Sequence, residues 1–287
     1  MSPQKSNNTL EKIAFQGLPG AHSDMACRRT YPYMETLACP TFDDVFAAVQ
    51  GGKAQYGLIP IENSQAGRVA EIHTILPKTK LHFVGESFQP IQHHLLGVKG
   101  AKLEDVKEVY SHPQGLMQCR ESLNKLGINA RMEYSNTAQA ASDIAKWGDK
   151  TKAAIASPLA AELYGLEVLK ANIEDSKDNT TLFICIAREP VECDPRDGKV
   201  LMTLLFTVRN VPSALYKALG GFATNNINIL KLESYISFTS RDAAQFFITF
   251  EGHPSQRGVQ LALEELGFFC KKVDVLGVYP ADPKRFA

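Results

Sequence analysis

Glu62, Asn63 and Ser64 stand side by side at the end of an apolar run, Gly57-Leu58-Ile59-Pro60. A carboxylate can move a proton, and an amide and a hydroxyl can hold an anion. All three are costly to bury unless solvent or a ligand satisfies them. In an open α/β sheet the strand ends are where ligands bind. The same residues also suit an ordinary strand-to-helix turn with a capping Asn or Ser. Three further clusters carry similar chemistry. The loop Gly17-Leu18-Pro19-Gly20-Ala21-His22-Ser23 follows a strand and opens a helix, where backbone N–H groups can bind an anion. It lacks the GxGxxG spacing of a dinucleotide site, and taken alone a structural turn is the plainer account of it. Ser111-His112-Pro113-Gln114 is followed by Gln118 and Cys119, which puts Gln114 and Gln118 on one helix face. A Ser cap with an exposed Gln is the plainer account of that cluster, and no Gly-x-Ser-x-Gly elbow supports His112 as the base of a nucleophile. Asn179-Thr180-Thr181-Leu182-Phe183 lies on a strand entered from a polar segment.

The elements that must position these clusters are legible from periodicity. Strands are predicted near 36–40, 56–60, 81–88, 92–98, 108–111, 128–132, 153–156 and 181–187. Helices are predicted near 43–50, 68–76, 114–126, 137–147 and 158–164. The alternation argues for α/β architecture with mostly parallel sheets. Residues 1–11 read as a disordered leader. Residues 191–199, within a stretch rich in proline and charge, read as a linker. Beyond it, a strand from Leu201 to Val208 places Met202, Leu204, Phe206 and Val208 on one face. A helix after Pro212, strands Ile227 to Phe238 and Ala243 to Gly252 joined by a hairpin at 239–242, a second helix and a last strand from Phe268 to Tyr279 complete a βαββαβ, ferredoxin-like order.

Composition bounds the function. The 287 residues suffice for two domains, and 31 basic residues balance 31 acidic ones. That balance argues against electrostatic capture of nucleic acid or an anionic membrane. The six cysteines show no metal or disulfide spacing. No secretory signal and no apolar run of about 18 residues is visible, so a cytoplasmic location is expected.

Taken together, the clusters closely resemble the prephenate dehydratase family. Phe-Gln-Gly-x-x-Gly-Ala-x-Ser is present from Phe15 to Ser23, and Pro-Ile-Glu-Asn-Ser-x-x-Gly-x-Val from Pro60 to Val69. Ser-His-Pro-Gln with a downstream Gln-Cys pair spans Ser111 to Cys119, and a Thr-Ala-x-Ala-Ala helix start spans Thr137 to Ala141. The resemblance covers about residues 12–280. It implies a two-lobed catalytic domain over 12–190 of the type II periplasmic-binding-protein kind, with lobes at 12–90 plus 170–190 and at 91–169. The tail, 200–280, resembles the family's ACT regulatory domain. The implied reaction is decarboxylative dehydration of prephenate to phenylpyruvate in phenylalanine biosynthesis, with no cofactor or metal. Thr181, Glu62, Asn63, Ser111 and Gln118 are implied as catalytic, and Ala21, Ser23, Ser64, Thr137 and Phe183 as substrate-binding. Feedback by phenylalanine is implied at Ser213, Ala214, Leu215, Asn228, Glu233 and Ser234, in a homodimer or homotetramer. Arogenate dehydration and non-catalytic sensing of aromatic acids are the alternatives.

Two departures from the family pattern matter. Its Thr-Arg-Phe reads Thr181-Leu182-Phe183 here, and its Pro-Gly-Ala-Leu reads Pro212-Ser213-Ala214-Leu215. Because strand side chains alternate, a regular strand points Leu182 away from the face shared by Thr181 and Phe183.

Overall fold

The computed structural model describes residues 11–235 and 244–286. The chain divides into two units, Met1–Leu76 with Ser87–Phe183, and Pro77–Glu86 with Ile184–Ala287. In chain order the strands are β1 (Lys12–Gln16), β2 (Glu35–Cys39), β3 (Tyr56–Asn63), β4 (Gly67–Arg68), β5 (His82–Pro90), β6 (His94–Gly97), β7 (Glu108–Ser111), β8 (Ala130–Glu133), β9 (Lys152–Ala156), β10 (Glu167–Lys170), β11 (Thr180–Ala187), β12 (Val200–Val208), β13 (Ile229–Tyr235), β14 (Gln245–Glu251) and β15 (Cys270–Pro280). The helices are α1 (His22–Thr30), α2 (Phe42–Gln50), α3 (Ala70–Ile75), α4 (Pro113–Gln118), α5 (Arg120–Lys125), α6 (Thr137–Trp147), α7 (Pro158–Tyr164), α8 (Ala214–Thr224) and α9 (Arg257–Phe269). Both β5 and β11 run on from one unit into the other.

The first unit has two sheets. One has the order β2-β1-β3-β11-β5, with the short β4 paired to β3. Its β1 is parallel to both neighbours. The other has the order β10-β6-β9-β7-β8. There β7 is parallel to β8 and β9, but β6 runs antiparallel to β9 and β10. The prediction of mostly parallel sheets therefore needs correction for this sheet. Strand β6 enters this sheet directly from β5 of the other sheet, so no β–α–β unit of its own sheet sets its direction. Strand β10 was not predicted, because Glu167 and Lys170 bracket only two apolar residues.

Neighbouring residues of the second sheet are buried on opposite faces. Leu95, Val109 and Ile155 pack with Leu116 and Leu123. Leu96, Ala154 and Ala156 pack with Ala140, Ala141, Ala160 and Ala161. Helices α6 and α7 match their predicted ranges because both ends are marked. Asn136 and Ser157 cap the starts, and Gly148 and Gly165 adopt left-handed φ at the ends.

In the second unit the four strands are ordered β13-β14-β12-β15, all pairs antiparallel, which is the ferredoxin-like topology. The predicted apolar face of β12 (Met202, Leu204, Phe206, Val208) packs with Ala218 and Phe222 of α8 and Ala262 and Leu266 of α9. On the other face Phe83, from the 77–86 segment, packs against Phe247 and Tyr279. The last strand begins at Cys270 rather than Phe268, since Phe268 belongs to α9 and is 68% exposed. The predicted hairpin at 239–242 and residues 1–10 of the leader lie outside the described residues.

Candidate active site

A cavity of about 250 Å³ opens in the first unit where β1, β3 and β11 of one sheet meet the start of α1 and the loops and helices of the other. Thr181 and Phe183 line it from β11, and Asn63 lines it from the end of β3. Ala21 and Ser23 come from the start of α1, Gln118 from the end of α4, and Thr137 from the start of α6. Seven residues, from Ala21 to Phe183, thus share one space. Leu182 is buried but does not line it, as alternation along β11 requires.

Asn63 organises the centre. Its Oδ1 accepts from the backbone N–H of Gln65 (3.0 Å) and Ala66 (2.9 Å), which fixes the amide's orientation. Its Nδ2 therefore points the other way and donates to Thr181 Oγ1 (2.9 Å) and Asn179 Oδ1 (2.8 Å). With its oxygen already accepting, the Thr181 hydroxyl has its proton free for another partner. Ser64 does not line the cavity. It ties β3 to β11 instead: its Oγ donates to the Asp178 carbonyl (2.9 Å) and accepts from Thr180 N–H (3.0 Å). Ser111 is also outside the lining, fully buried, with Oγ donating to the Ile155 carbonyl (2.7 Å). Gly115 lies over it, and a Cβ there would stand 2.8 Å from Ser111 Oγ. Glu62 is half-buried on β3, in register with Arg68 of β4, and does not line the cavity.

The Gly17–Gly20 loop spends its amides within the protein. Gly17 N–H donates to the Cys39 carbonyl, and Gly20 N–H donates to the buried Asp24 carboxylate (2.9 Å). What faces the cavity is the first turn of α1, which has no side-chain cap and so offers its dipole to an anion.

Gln118 owes its place to a break in the predicted 114–126 helix. At Cys119 the chain leaves helical geometry, and α5 starts anew. Asp175 secures the break by accepting from Glu121 N–H (2.9 Å) and Ser122 N–H (3.0 Å) and donating its own N–H to the Gln118 carbonyl (2.7 Å). His112, rather than Ser111, caps α4: its Nδ1 accepts from Gln114 N–H (3.2 Å).

None of the described residues lining the cavity is Lys, Arg, Asp or Glu. Three are histidines, and burial lowers the pKa of each: His22 to about 3, His93 and His112 below their ordinary range. The walls are therefore uncharged near neutrality, though rich in hydrogen-bond donors. The rings of His22 and His93 meet edge to face at 5.2 Å, and neither imidazole was assigned a role from sequence. His93 lies in no cluster of chemical residues, and only the fold brings it to the cavity; His22 belongs to the Gly17–Ser23 loop, but nothing in its spacing set it apart. Among the described residues no group of His, Cys, Asp and Glu is placed to hold a metal ion.

A family model described as prephenate dehydratase matches residues 13–191. The chain belongs to the prephenate dehydratase family. Members of this family are hydro-lyases acting on prephenate. The chain is similar to a bifunctional N-acyl-homoserine lactone acylase/prephenate dehydratase of Komagataeibacter europaeus, with 47% identity over 95% of this chain and 97% of the relative. It is 38% identical to arogenate dehydratase/prephenate dehydratase 1 of Arabidopsis thaliana, over 96% of this chain and 73% of that protein. Its structure is similar to that of a prephenate dehydratase from Arthrobacter aurescens in complex with L-Phe, with a TM-score of 0.85 and 28% identity over 94% and 90% of the two chains. Among the described residues no helix is long and apolar enough to cross a membrane.

In the second unit the sequence-derived effector residues separate. Strand register puts Ser234 beside Phe246 and hence level with Phe206, near the end of β12. Ile229 lies beside Phe250, level with Met202, so Asn228 belongs to the opposite end. Asn228 Nδ2 donates to Glu251 Oε1 (2.7 Å). Ser213 to Leu215 sit at the start of α8, where Ser213 has φ 59°. Within one chain Asn228 thus lies at the opposite end of the sheet from Ser234.

Proposed function

We propose that this enzyme converts prephenate to phenylpyruvate, carbon dioxide and water. The observation that carries the reading is the Thr181 hydroxyl, its oxygen engaged by Asn63 and its proton free, in an uncharged cavity rich in donors. Aromatisation drives the reaction once the ring's C–O bond begins to break. The electrons of the ring–carboxylate bond flow into the ring as CO2 departs, and the C–O pair leaves with hydroxide. Thr181 donates a hydrogen bond to that oxygen as its charge grows. A threonine hydroxyl is too weak an acid to end ionised, so the net proton that completes water comes from solvent. Gln118, Thr137 and the first turn of α1 hold the carboxylates without full positive charge. Such donors orient the departing carboxylate yet stabilise its anion less than Lys or Arg would. The two lobes are read as a hinged clamshell. Phenylalanine acts as a feedback inhibitor, bound where second units pair in a homodimer or homotetramer. That pairing would unite positions that one chain keeps apart.

Purified protein given prephenate is expected to release phenylpyruvate, and no product over a no-enzyme control would refute the reading. The plant relative's name favours arogenate as a second substrate, for which the product to follow is phenylalanine. The name of the Komagataeibacter relative supports a second activity, amide hydrolysis of N-acyl-homoserine lactones. Mass spectrometry for the free fatty acid and homoserine lactone tests it.

A further inference from the structure

We infer that His93 is a positioning residue for the dehydratase reaction: it holds the Gln118 amide so that its NH2 is presented to the substrate. His93 Nε2 lies 2.9 Å from Gln118 Oε1. An amide oxygen only accepts, so Nε2 carries the ring proton and Nδ1 carries a lone pair. With its oxygen so held, the amide's two N–H donors are left for the cavity that both residues line. His93 is 3% exposed, and its Nδ1 has no hydrogen-bond partner among the described residues. The bond to Gln118 is thus the ring's one hydrogen bond, and an unpartnered buried nitrogen is the cost of keeping an imidazole there.

Both ends of the pair are anchored to the same returning segment. His93 N–H donates to Glu174 Oε2 (2.9 Å) and its carbonyl accepts from Ile173 N–H (2.8 Å). The Gln118 carbonyl accepts from Asp175 N–H. The span between the two side chains is therefore set by backbone, as a positioning contact requires. Burial also keeps the ring neutral, so it contributes no competing charge to the carboxylate that Gln118 would meet.

This inference rests on the dehydratase reading, and two measurements separate their failures. In kinetics, His93→Phe is expected to lower kcat/KM about 10–100-fold, mostly through KM. His93→Gln, which keeps a donor at the Nε2 position, should recover most of it. His93→Phe should add less than about threefold in a Gln118→Ala background, since coupled residues are non-additive. Fully multiplicative losses, with all variants folded by circular dichroism, would overturn the inference. Independently of turnover, long-range 1H–15N spectra of the histidine rings should show His93 as the Nε2–H tautomer, with that resonance displaced by Gln118→Ala. An Nδ1–H tautomer, or a spectrum indifferent to Gln118, overturns it. If the unmodified enzyme turns over neither prephenate nor arogenate, the dehydratase reading fails while the spectra still decide the pairing.

Discussion

Thr181 and Asn63 divide one task at the residue scale. The asparagine donates to the hydroxyl oxygen and leaves its proton free, and on the proposed reading that proton meets the leaving oxygen. Thr181→Val keeps shape and removes the proton. It is expected to cost about 10²–10³ in kcat, the usual loss when one transition-state donor goes, with only a small drop in melting temperature, since the buried bond from Asn63 is lost too, at about 1 kcal/mol. Leu182→Arg should fail on stability rather than restore anything. Leu182 is 8% exposed and does not line the cavity, so the substitution draws a charge out of water. The histidines give a pH signature. His22, at about 3, binds its proton far more weakly in the folded chain than in the unfolded chain, where the value is near 6.5. The unfolded state therefore takes up protons first as pH falls. The stability that His22 contributes is complete above about pH 6.5 and is lost progressively toward pH 3. Thermal melting between pH 7 and 4 should show the decline, and His22→Gln should flatten it.

Element boundaries decide reach. A continuous helix over 114–126 would suit the apolar spacing, but the break at Cys119 makes Gln118 the last residue of α4. Asp175, distant in sequence, supplies the cap that makes the break stable. Asp175→Ala is expected to lower stability by about 1 kcal/mol, as other lost caps do. It should lower kcat/KM by more than that loss of folded protein explains, because Gln118 loses its anchor. A chemical denaturation curve beside steady-state rates checks both parts. At the start of α8, Ser213 occupies left-handed φ where the resembled pattern has glycine. Ser213→Gly removes a strain of about 1 kcal/mol and should raise the melting temperature. It should also tighten phenylalanine inhibition by clearing a side chain from the proposed effector site.

At the scale of the whole molecule, the strand that carries Thr181 continues from the first unit into the second. Saturating phenylalanine is expected to slow turnover, and a protein truncated after residue 190 should lose that response if the second unit carries it. Rates indifferent to phenylalanine in the full chain would remove the regulatory reading. Much of this organisation was legible in the sequence. Alternation marked β11 and the apolar face of β12, and periodicity marked α6 and α7, whose ends the structure shows capped by Asn136 and Ser157 and closed by Gly148 and Gly165. Those signals are local: a cap, a period or a left-handed turn acts over a few residues. The motifs likewise named Asn63, Gln118, Thr137 and Thr181, which meet in one cavity. Tertiary structure alone decided that Ser64 and Ser111 bond to backbone behind the cavity, that Glu62 does not line it, and that His22 and His93 do. The direction of β6, the break at Cys119 and the neutral state of the three histidines were decided the same way. Each depends on which distant groups come to surround a side chain and how much water they exclude, and no spacing within the chain encodes that.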